Sequence, residues 1–314
     1  MQRHSPLPVA LPAAFSVASA DDLGVSAGRL RGRDLGRPFH GVRTRSASTP
    51  LSEIRDLCRA YAPRVAEHQF FSHETALALY GFALPGWPYR PRVHVSTHRP
   101  RREPRTVGVI GHRLQARETA VRRTPDGLPV EDPARAWRQC GTLWSLDDLI
   151  AAADTLSFDP ARGASRRALW EEVDIMGDVR GGLLGRALEE ARDGVRSPRE
   201  TRLRLLLVRE GLPEPEINWT LRDEGGSFVA ELDLAFPRWK VAPEYDGRVH
   251  AEDAAQFARD ADRWEAIRRA GWRHVRCLDH HVRGRGIPAL RMVVAALVDA
   301  GWRPPRTMSH NLLP

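Results

Sequence analysis

The sequence contains no long run of apolar residues, few cysteines and almost no lysine. No stretch approaches the roughly 20 consecutive apolar residues that a membrane-spanning helix needs, so we expect no membrane partner. Prolines interrupt the apolar patch near the N-terminus, and the sequence therefore predicts no secretory signal. The 3 cysteines are scattered without metal-ligand spacing, which favours buried thiols in a reducing, cytoplasmic location.

Positive charge exceeds negative charge along the chain. There are 48 basic and 40 acidic residues, the formal net charge is +8 and the sequence pI is near 10.3. Basic side chains release counterions from phosphate backbones, so this balance favours DNA as a partner. Lys240 is the only lysine, and a GC-rich genome would produce the same arginine bias, so charge alone gives modest support.

The length of 314 residues predicts two or three domains. The order of predicted helices and strands indicates an α/β protein, mixed α+β overall. We predict the following segments: a winged helix-turn-helix at 1–48, an α/β region at 52–158, a helical linker at 159–196, a three-layer domain with a mixed sheet at 197–303, and a flexible tail at 304–314.

The stretch ASADDLGVSAGRLRGRDLGRPFHGVRT carries the helix-turn-helix prediction. Residues 20–23 can form a short helix, and Ser26 can cap a second helix that carries three arginines: Arg29, Arg31 and Arg33. PFHGVRT is typical of a small β-wing. A basic second helix followed by a wing indicates major-groove DNA binding. The alternative is a solvated, arginine-rich helix in a small packing module.

The middle region shows no catalytic pattern. RVHVSTH and TVGVIGHRL alternate like strands, and Ser72 is a candidate cap for the helix HETALALYG. His94, His98 and His112 lie on or beside these strands, and isolated histidines of this kind are more often structural than ligands or bases.

Acidic residues alternate along two predicted strands of the C-terminal domain. The apolar residues predicted to share one face of SFVAELDLAFP are Phe228, Ala230, Leu232, Leu234 and Phe236. Glu231 and Asp233 would share its other face, and Glu244 and Asp246 one face of the next strand. Oxygen ligands crowded in this way suit Mg²⁺ or Mn²⁺. The alternative is a half-exposed, solvated strand face.

Three further residues extend this pattern. Asp260 falls on the flank of an apolar helix stripe, where it needs a partner. His250 is one candidate for an acid/base pair, and Arg263, in a salt bridge, is the other. Glu200 completes a capping box in which it would reach back to the Ser197 backbone.

Residues 197–298 resemble the Vsr-like branch of the PD-(D/E)XK nuclease superfamily. The most specific motifs are EYDG-x-x-H and the run R-D-x-x-R followed by GWR-x-x-R. The resemblance implies a restriction-endonuclease-like fold in which Asp233 takes the place of the metal-binding aspartate. The other positions that it implies for the metal and the chemistry are Glu244, Asp246, Glu200, His250 and Asp260.

The upstream part is similar to the AbiEi-type antitoxins of type IV toxin-antitoxin systems. GVSAGRLRGRDL with FHGV, HETALALYG, DGLPVEDPARAW and SLDDLIAAADTL carry this resemblance. It implies DNA binding, transcriptional repression and a cognate toxin as a partner.

Two hypotheses follow. The first is a DNA-binding protein with a Mg²⁺-dependent endonuclease domain. The second is a non-catalytic antitoxin or repressor that keeps a degenerate nuclease fold as a scaffold. Two departures from the nuclease pattern keep the second hypothesis open: Asp246 replaces the lysine of E-x-K, and Pro243 removes a hydrogen-bond donor from a predicted strand.

Overall fold

The computed structural model describes residues 5–48, 51–85, 92–246 and 254–312, with side chains described from 259 onward in the last range, His310 excepted. The chain has a mixed α/β fold, as predicted. It divides into two compact units. Unit 1 comprises Met1–Ser145 and Asp159–Leu188, and unit 2 comprises Leu146–Phe158 and Glu189–Pro314. The segment 146–158, which the sequence pattern assigns to the middle region, therefore belongs to the unit that contains the C-terminal part. The division of the chain into the five predicted segments stays a prediction.

Helices in the described ranges are all too short or too polar to cross a membrane.

The N-terminal part of unit 1 is a small strand-and-helix assembly: β1 (Ala14–Ser16), α1 (Val17–Asp22) and β2 (Val42–Thr44). β2 pairs antiparallel with β1. The predicted basic second helix is wrong, because only a single 3₁₀ turn forms, at Arg29–Arg31. Ser26 Oγ does accept a hydrogen bond from the Arg29 N–H at 3.2 Å. Gly28 and Gly32 flank the turn, and glycine disfavours helix propagation on both sides.

The rest of unit 1 is built on a five-stranded mixed sheet with the strand order β5-β4-β3-β7-β6. Its elements are α2 (Ile54–Tyr61), β3 (Gln69–Phe71), α3 (His73–Leu79), β4 (Val93–His98), β5 (Val109–Leu114), β6 (Arg122–Arg123), β7 (Pro129–Val130) and α4 (Pro133–Cys140). β4 and β5 run parallel, whereas β3 and β4 run antiparallel. The chain then forms α5 (Leu146–Phe158), α6 (Arg166–Met176) and α7 (Leu183–Glu190).

Unit 2 follows the order that its sequence pattern predicts, which is a helix, an extended segment, two strands, a helix, a strand and a final helix. Its elements after α7 are α8 (Pro198–Arg209), β8 (Glu216–Arg222), β9 (Phe228–Ala235), β10 (Val241–Asp246), α9 (Ala254–Arg269), β11 (Arg273–Leu278), α10 (Asp279–Val282) and α11 (Ile287–Asp299). β8 and β9 form an antiparallel pair, and β10 and β11 form a parallel pair.

Between β9 and β10 the described structure has one bridge, at Phe236 and Val241. The Val241 N–H donates to the Phe236 carbonyl at 3.4 Å, so by alternation the nitrogen of Pro243 also faces β9. No regular ladder joins the two described strands on that side. The missing donor of Pro243 therefore costs no ladder hydrogen bond, and the proline lies on the side of β10 that has no paired strand in the described part of the chain.

Successive residues of β10 point into two different cores. Val241 packs with residues of α8 and α11, including Leu203 and Val293. Ala242 packs in a second cluster with Ile267 of α9. Unit 2 therefore has helices on both faces of its strands, which is the three-layer arrangement predicted from the element order.

The predicted apolar face of β9 is only partly correct. Phe228 is 62% exposed. Ala230 and Leu232 join the core beneath α9, as does Ala235, whereas Leu234 joins the core beneath α8 and α11. Strict alternation is therefore lost near the end of the strand, which turns there into the bridge with β10.

A buried ion pair fastens α5 to α8 inside unit 2. Asp154 is 0% exposed and Arg204 is 1% exposed, and their side chains are 3.2 Å apart. Asp154 also accepts hydrogen bonds from Thr201 Oγ1 at 2.7 Å and from the Arg192 N–H at 2.6 Å. Burial raises the pKa of Asp154, and these donors act in the opposite direction.

Candidate functional site

The candidate site lies where β9, β10 and the N-terminal turn of α8 come together. Asp233 is a partly buried residue of β9. Its pKa is raised to about 7, first by burial and then by the negative charges of Glu244 and Glu200, while the charges of Arg263 and Arg196 act in the opposite direction. The carboxylates of Glu244 and Glu200, from two other elements, are therefore close enough to repel the Asp233 carboxylate.

Glu200 is fixed by the start of α8. Its backbone N–H donates to Ser197 Oγ at 3.3 Å, so Ser197 caps the helix, as predicted. Its carboxylate accepts from the Arg196 N–H at 3.0 Å, not from the Ser197 backbone as the capping box predicts. The donor is therefore one residue earlier than expected, and Glu200 is only 8% exposed. The cap therefore holds a buried carboxylate beside Asp233.

Glu244 is already held by two positively charged or protonatable groups. Arg263 Nη1 of α9 donates to both of its oxygens, at 3.0 and 2.9 Å, and His274 Nε2 of β11 is 2.8 Å from Oε2. Burial raises the pKa of Glu244, but the hydrogen bond from His274 and the charge of Arg263 outweigh burial, so this pKa lies below its usual value. Glu244 is thus ionised at neutral pH.

Asp246 shares this face of β10 with Glu244, as alternation predicts. Arg276 Nη2 of β11 donates to Asp246 Oδ2. The Arg276 guanidinium also lies 3.7 Å from the ring centroid of Trp264 on α9, where the aromatic face favours a cation. Asp246 therefore forms an ion pair with Arg276 at the margin of the site.

The predicted acid/base pair is only partly within the described structure. His250 lies outside the described residues. Asp260 is half-buried on α9 and has an interaction partner. Arg263, the alternative partner for Asp260, is engaged with Glu244 and donates from Nη2 to the Glu231 carbonyl at 2.8 Å. The His250 and Asp260 pair stays a prediction.

Basic residues that the sequence pattern does not predict surround the carboxylates. His274 and Arg276 alternate along β11, and the parallel register places Ala242 opposite His274 and Glu244 opposite Arg276. Alternation in RHVRCL indicates that His274 and Arg276 share one face of β11. It cannot show that they lie beside Glu244 and Asp246, because this depends on the long-range pairing of β11 with β10.

The carboxylates do not reach metal-ligand spacing in this structure. Among the described residues, the group of three whose ligand atoms all lie within 4.8 Å of one another is His73, His94 and His112 in unit 1. The sequence pattern alone favours an isolated surface or structural role for two of these, His94 and His112. The Mg²⁺ or Mn²⁺ prediction for Asp233, Glu244 and Asp246 stays a proposal.

The three arginines predicted to bind DNA lie on or beside the 3₁₀ turn. Arg29 is paired with Asp34, with Nη2 and Oδ2 2.7 Å apart. Arg31 and Arg33 are exposed. Two of the three predicted contacts are therefore accessible on the surface of unit 1.

The fold and the site define a mixed α/β protein with a carboxylate cluster between its strands and a helix start. Two proteins of Mycobacterium tuberculosis are similar to the chain: the uncharacterised protein MT2308 of strain CDC 1551 / Oshkosh and the uncharacterised protein Rv2248 of strain ATCC 25618 / H37Rv. Each is 30% identical over 209 residues, which are 63% of this chain and 70% of the relative. The chain belongs to the same family as these two mycobacterial proteins.

No protein-family model matches the chain. No solved structure matches it either.

Proposed function

We propose that unit 2 is a Mg²⁺- or Mn²⁺-dependent endodeoxyribonuclease that hydrolyses phosphodiester bonds. The observation that supports this proposal best is the pKa of Asp233, about 7, raised by burial and then by Glu244 and Glu200. Within the described residues, no side chain donates a hydrogen bond to the Asp233 carboxylate. A divalent cation would stabilise this arrangement, because it would replace mutual repulsion by attraction.

The proposed ligands are Asp233 and Glu244, with Asp246 and Glu200 assisting. Arg263 and His274 contact the Glu244 oxygens, but a carboxylate has about four lone-pair sites, so these contacts leave room for a metal bond. A bound cation would polarise the scissile phosphate and lower the pKa of a water molecule.

Protein groups would carry the remaining steps. We assign to His250, oriented by Asp260, the positioning of water or the protonation of the leaving oxygen. Arg276, held over Trp264, is a donor at the margin of the site that suits a phosphate oxygen. We place this activity in the cytoplasm, with DNA as the partner.

Nicking of supercoiled plasmid DNA in Mg²⁺ or Mn²⁺ tests the proposal. Asp233→Asn keeps the shape of the side chain and removes its charge, so we expect the nicking rate to fall about a hundredfold or more. Glu224→Gln changes an exposed carboxylate in the β8–β9 turn and should nick at the wild-type rate. Equal rates in wild type and Asp233→Asn would refute the nuclease proposal.

A second candidate function is favoured by the ion pairs of β10. Glu244 is held by Arg263 and His274, and Asp246 by Arg276, so part of the acidic cluster is neutralised without a metal. This arrangement suits a non-catalytic antitoxin or repressor in which the nuclease-like fold serves as a scaffold. A toxin protein would then be a partner.

A mobility-shift experiment with the protein's own promoter tests this second function. Arg31→Ala with Arg33→Ala should weaken the shift, because both side chains are exposed and able to contact phosphate. Arg29→Ala is the comparison, since Arg29 is paired with Asp34. If the protein is a repressor, the Asp233→Asn variant should bind the promoter as well as the wild type does. The absence of a shift by the wild type at low salt would contradict this function.

A further inference from the structure

A cluster of three histidines lies in unit 1. Ser96 of β4 is opposite His112 of β5 in the parallel register, and His94 precedes Ser96 by two residues. These three side chains therefore share one face of the sheet. His73, the first residue of α3, places its ring against this face, with its centroid 3.8 Å from that of His112 and 5.4 Å from that of His94.

Burial makes this cluster unusual. His73 is 4% exposed and His94 is 2% exposed, whereas histidine is usually at least partly accessible. His73 also has a positive φ of 52°, which is uncommon for a residue with a side chain. The fold therefore accepts an unfavourable backbone conformation at the residue that brings the third ring into place.

The ring nitrogens of His94 point in two directions with different roles. Nδ1 is 2.8 Å from His112 Nε2, inside the cluster. Nε2 is 3.0 Å from Glu74 Oε1, and Trp144 Nε1 donates to the other Glu74 oxygen at 3.1 Å. A carboxylate that holds the outer nitrogen of a histidine is the arrangement that orients metal-binding imidazoles.

His73 is held in the same way, through hydroxyl groups. Its Nδ1 is 2.9 Å from Ser72 Oγ, and Ser96 Oγ donates to Ser72 Oγ at 2.6 Å. Ser72 therefore supports the ring of His73 instead of capping α3, for which it makes no side-chain hydrogen bond. The remaining nitrogen of His73, Nε2, is the one that we assign to the inside of the cluster.

We propose that His73, His94 and His112 bind a zinc-type divalent cation through His73 Nε2, His94 Nδ1 and His112 Nε2. The ligand atoms of the three residues lie within 4.8 Å of one another, and imidazole is a preferred ligand of Zn²⁺ and its first-row neighbours. Three protein ligands leave the fourth tetrahedral position to water.

Binding requires a defined local change. Zinc–nitrogen bonds of about 2.0–2.1 Å place two tetrahedral ligand atoms about 3.3 Å apart, so His94 Nδ1 and His112 Nε2 must separate from their present 2.8 Å. With the His94 Nε2–H directed at Glu74, the hydrogen between the two nitrogens belongs to His112 and must pass to Nδ1 of that ring as the metal enters, so that both ligands stay neutral. The nearly stacked rings of His73 and His112 must also rotate so that their lone pairs converge.

Titration of the full-length, chelator-treated protein with Co²⁺ tests the site. In the Asp233→Asn background, which removes the proposed cation site of unit 2, we expect one Co²⁺ per chain with the visible absorption of a tetrahedral complex, and displacement by Zn²⁺. Zn²⁺ at about a hundred times its Kd should also raise Tm by about 5–10 °C.

His112→Gln is the decisive variant, because His112 is only partly buried and glutamine can keep a hydrogen bond to His94. It should lose the absorption band and the Tm shift, whereas His98→Gln on β4 and Asp233→Asn in unit 2 should keep both. An unchanged melting curve of His112→Gln without metal shows that it folds. Absence of a tetrahedral band in the wild type, or the same band in His112→Gln, would overturn the proposal.

Discussion

Asp154 and Asp233 are carboxylates of unit 2 whose pKa burial raises, but their surroundings differ. Asp154 is in contact with Arg204, Thr201 and the Arg192 N–H. Asp233 faces the carboxylates of Glu244 and Glu200 and keeps a pKa of about 7. In the first arrangement, hydrogen bonds and an ion pair within the protein stabilise the charge of Asp154. In the second, a bound cation would be needed to stabilise the charge of Asp233. This difference separates a structural group from a candidate functional group.

The largest expected effect is on the structural side of this comparison. Asp154→Ala should lower the free energy of unfolding by about 3–5 kcal/mol, because it leaves the buried guanidinium of Arg204 without its partner. Asp147→Ala on the same helix breaks an exposed pair with Arg209 and should cost at most about 1 kcal/mol. Urea denaturation of both variants measures the difference, and equal costs would contradict the structural role of Asp154.

The pH dependence of stability should reveal Asp233. Its pKa is about 7 in the folded chain against an ordinary 3.8, so the folded state binds its proton more tightly than the unfolded state. Protonated Asp233 therefore contributes its full stabilisation to the free energy of unfolding below about pH 4. This contribution is lost as the pH rises to about 7, and above that pH no further change comes from Asp233. The loss is on the order of 4 kcal/mol.

This contribution is obtained by subtracting the stability profile of Asp233→Asn from that of the wild type in metal-free buffer. Other titrating groups cancel in the difference. Parallel profiles between pH 4 and pH 8 would show that Asp233 has an ordinary pKa.

Asp233→Asn should also stabilise the metal-free protein at pH 8, by about 1–3 kcal/mol, because it removes a repelled charge. The gain is smaller than the full electrostatic cost since the amide must find hydrogen-bond partners of its own. Chemical denaturation beside the Glu224→Gln control measures it. If Asp233→Asn is less stable than the wild type, Asp233 has a structural role like that of Asp154.

The smallest effect should come from Glu200→Gln. The amide oxygen can still accept from the Arg196 N–H, so the helix start is kept, while one of the charges that raise the pKa of Asp233 is lost. We expect this pKa to fall by about one unit, measured by NMR titration of the side-chain carboxyl. Glu216→Gln, an exposed change on β8, should leave the pKa in place.

Sequence periodicity predicted the order of elements in unit 2 but not the partners of its charges. The strand 241–246 and the shared face of Glu244 and Asp246 follow from alternation, which is a local rule. Contacts of Glu244 with Arg263 and His274 depend on which helix and strand lie beside β10, and these residues are 19 and 30 positions away along the chain. Local rules cannot supply that information.

Two other differences have equally physical causes. The predicted recognition helix failed because Gly28 and Gly32 bracket a single 3₁₀ turn. The histidine cluster was missed because His94 and His112 lie on one face only after β4 and β5 pair in parallel. Capping was predicted better, since Ser197 does cap α8, although Glu200 reaches Arg196 instead.

Binding of Mn²⁺ followed by electron paramagnetic resonance tests the central claim, that the Asp233 cluster is a divalent-cation site. The titration is best made at pH 8 in the His112→Gln background, so that the histidine cluster does not contribute. We predict one Mn²⁺ per chain, retained in Glu224→Gln and lost in Asp233→Asn. Equal Mn²⁺ binding with and without the Asp233 carboxylate would contradict the account.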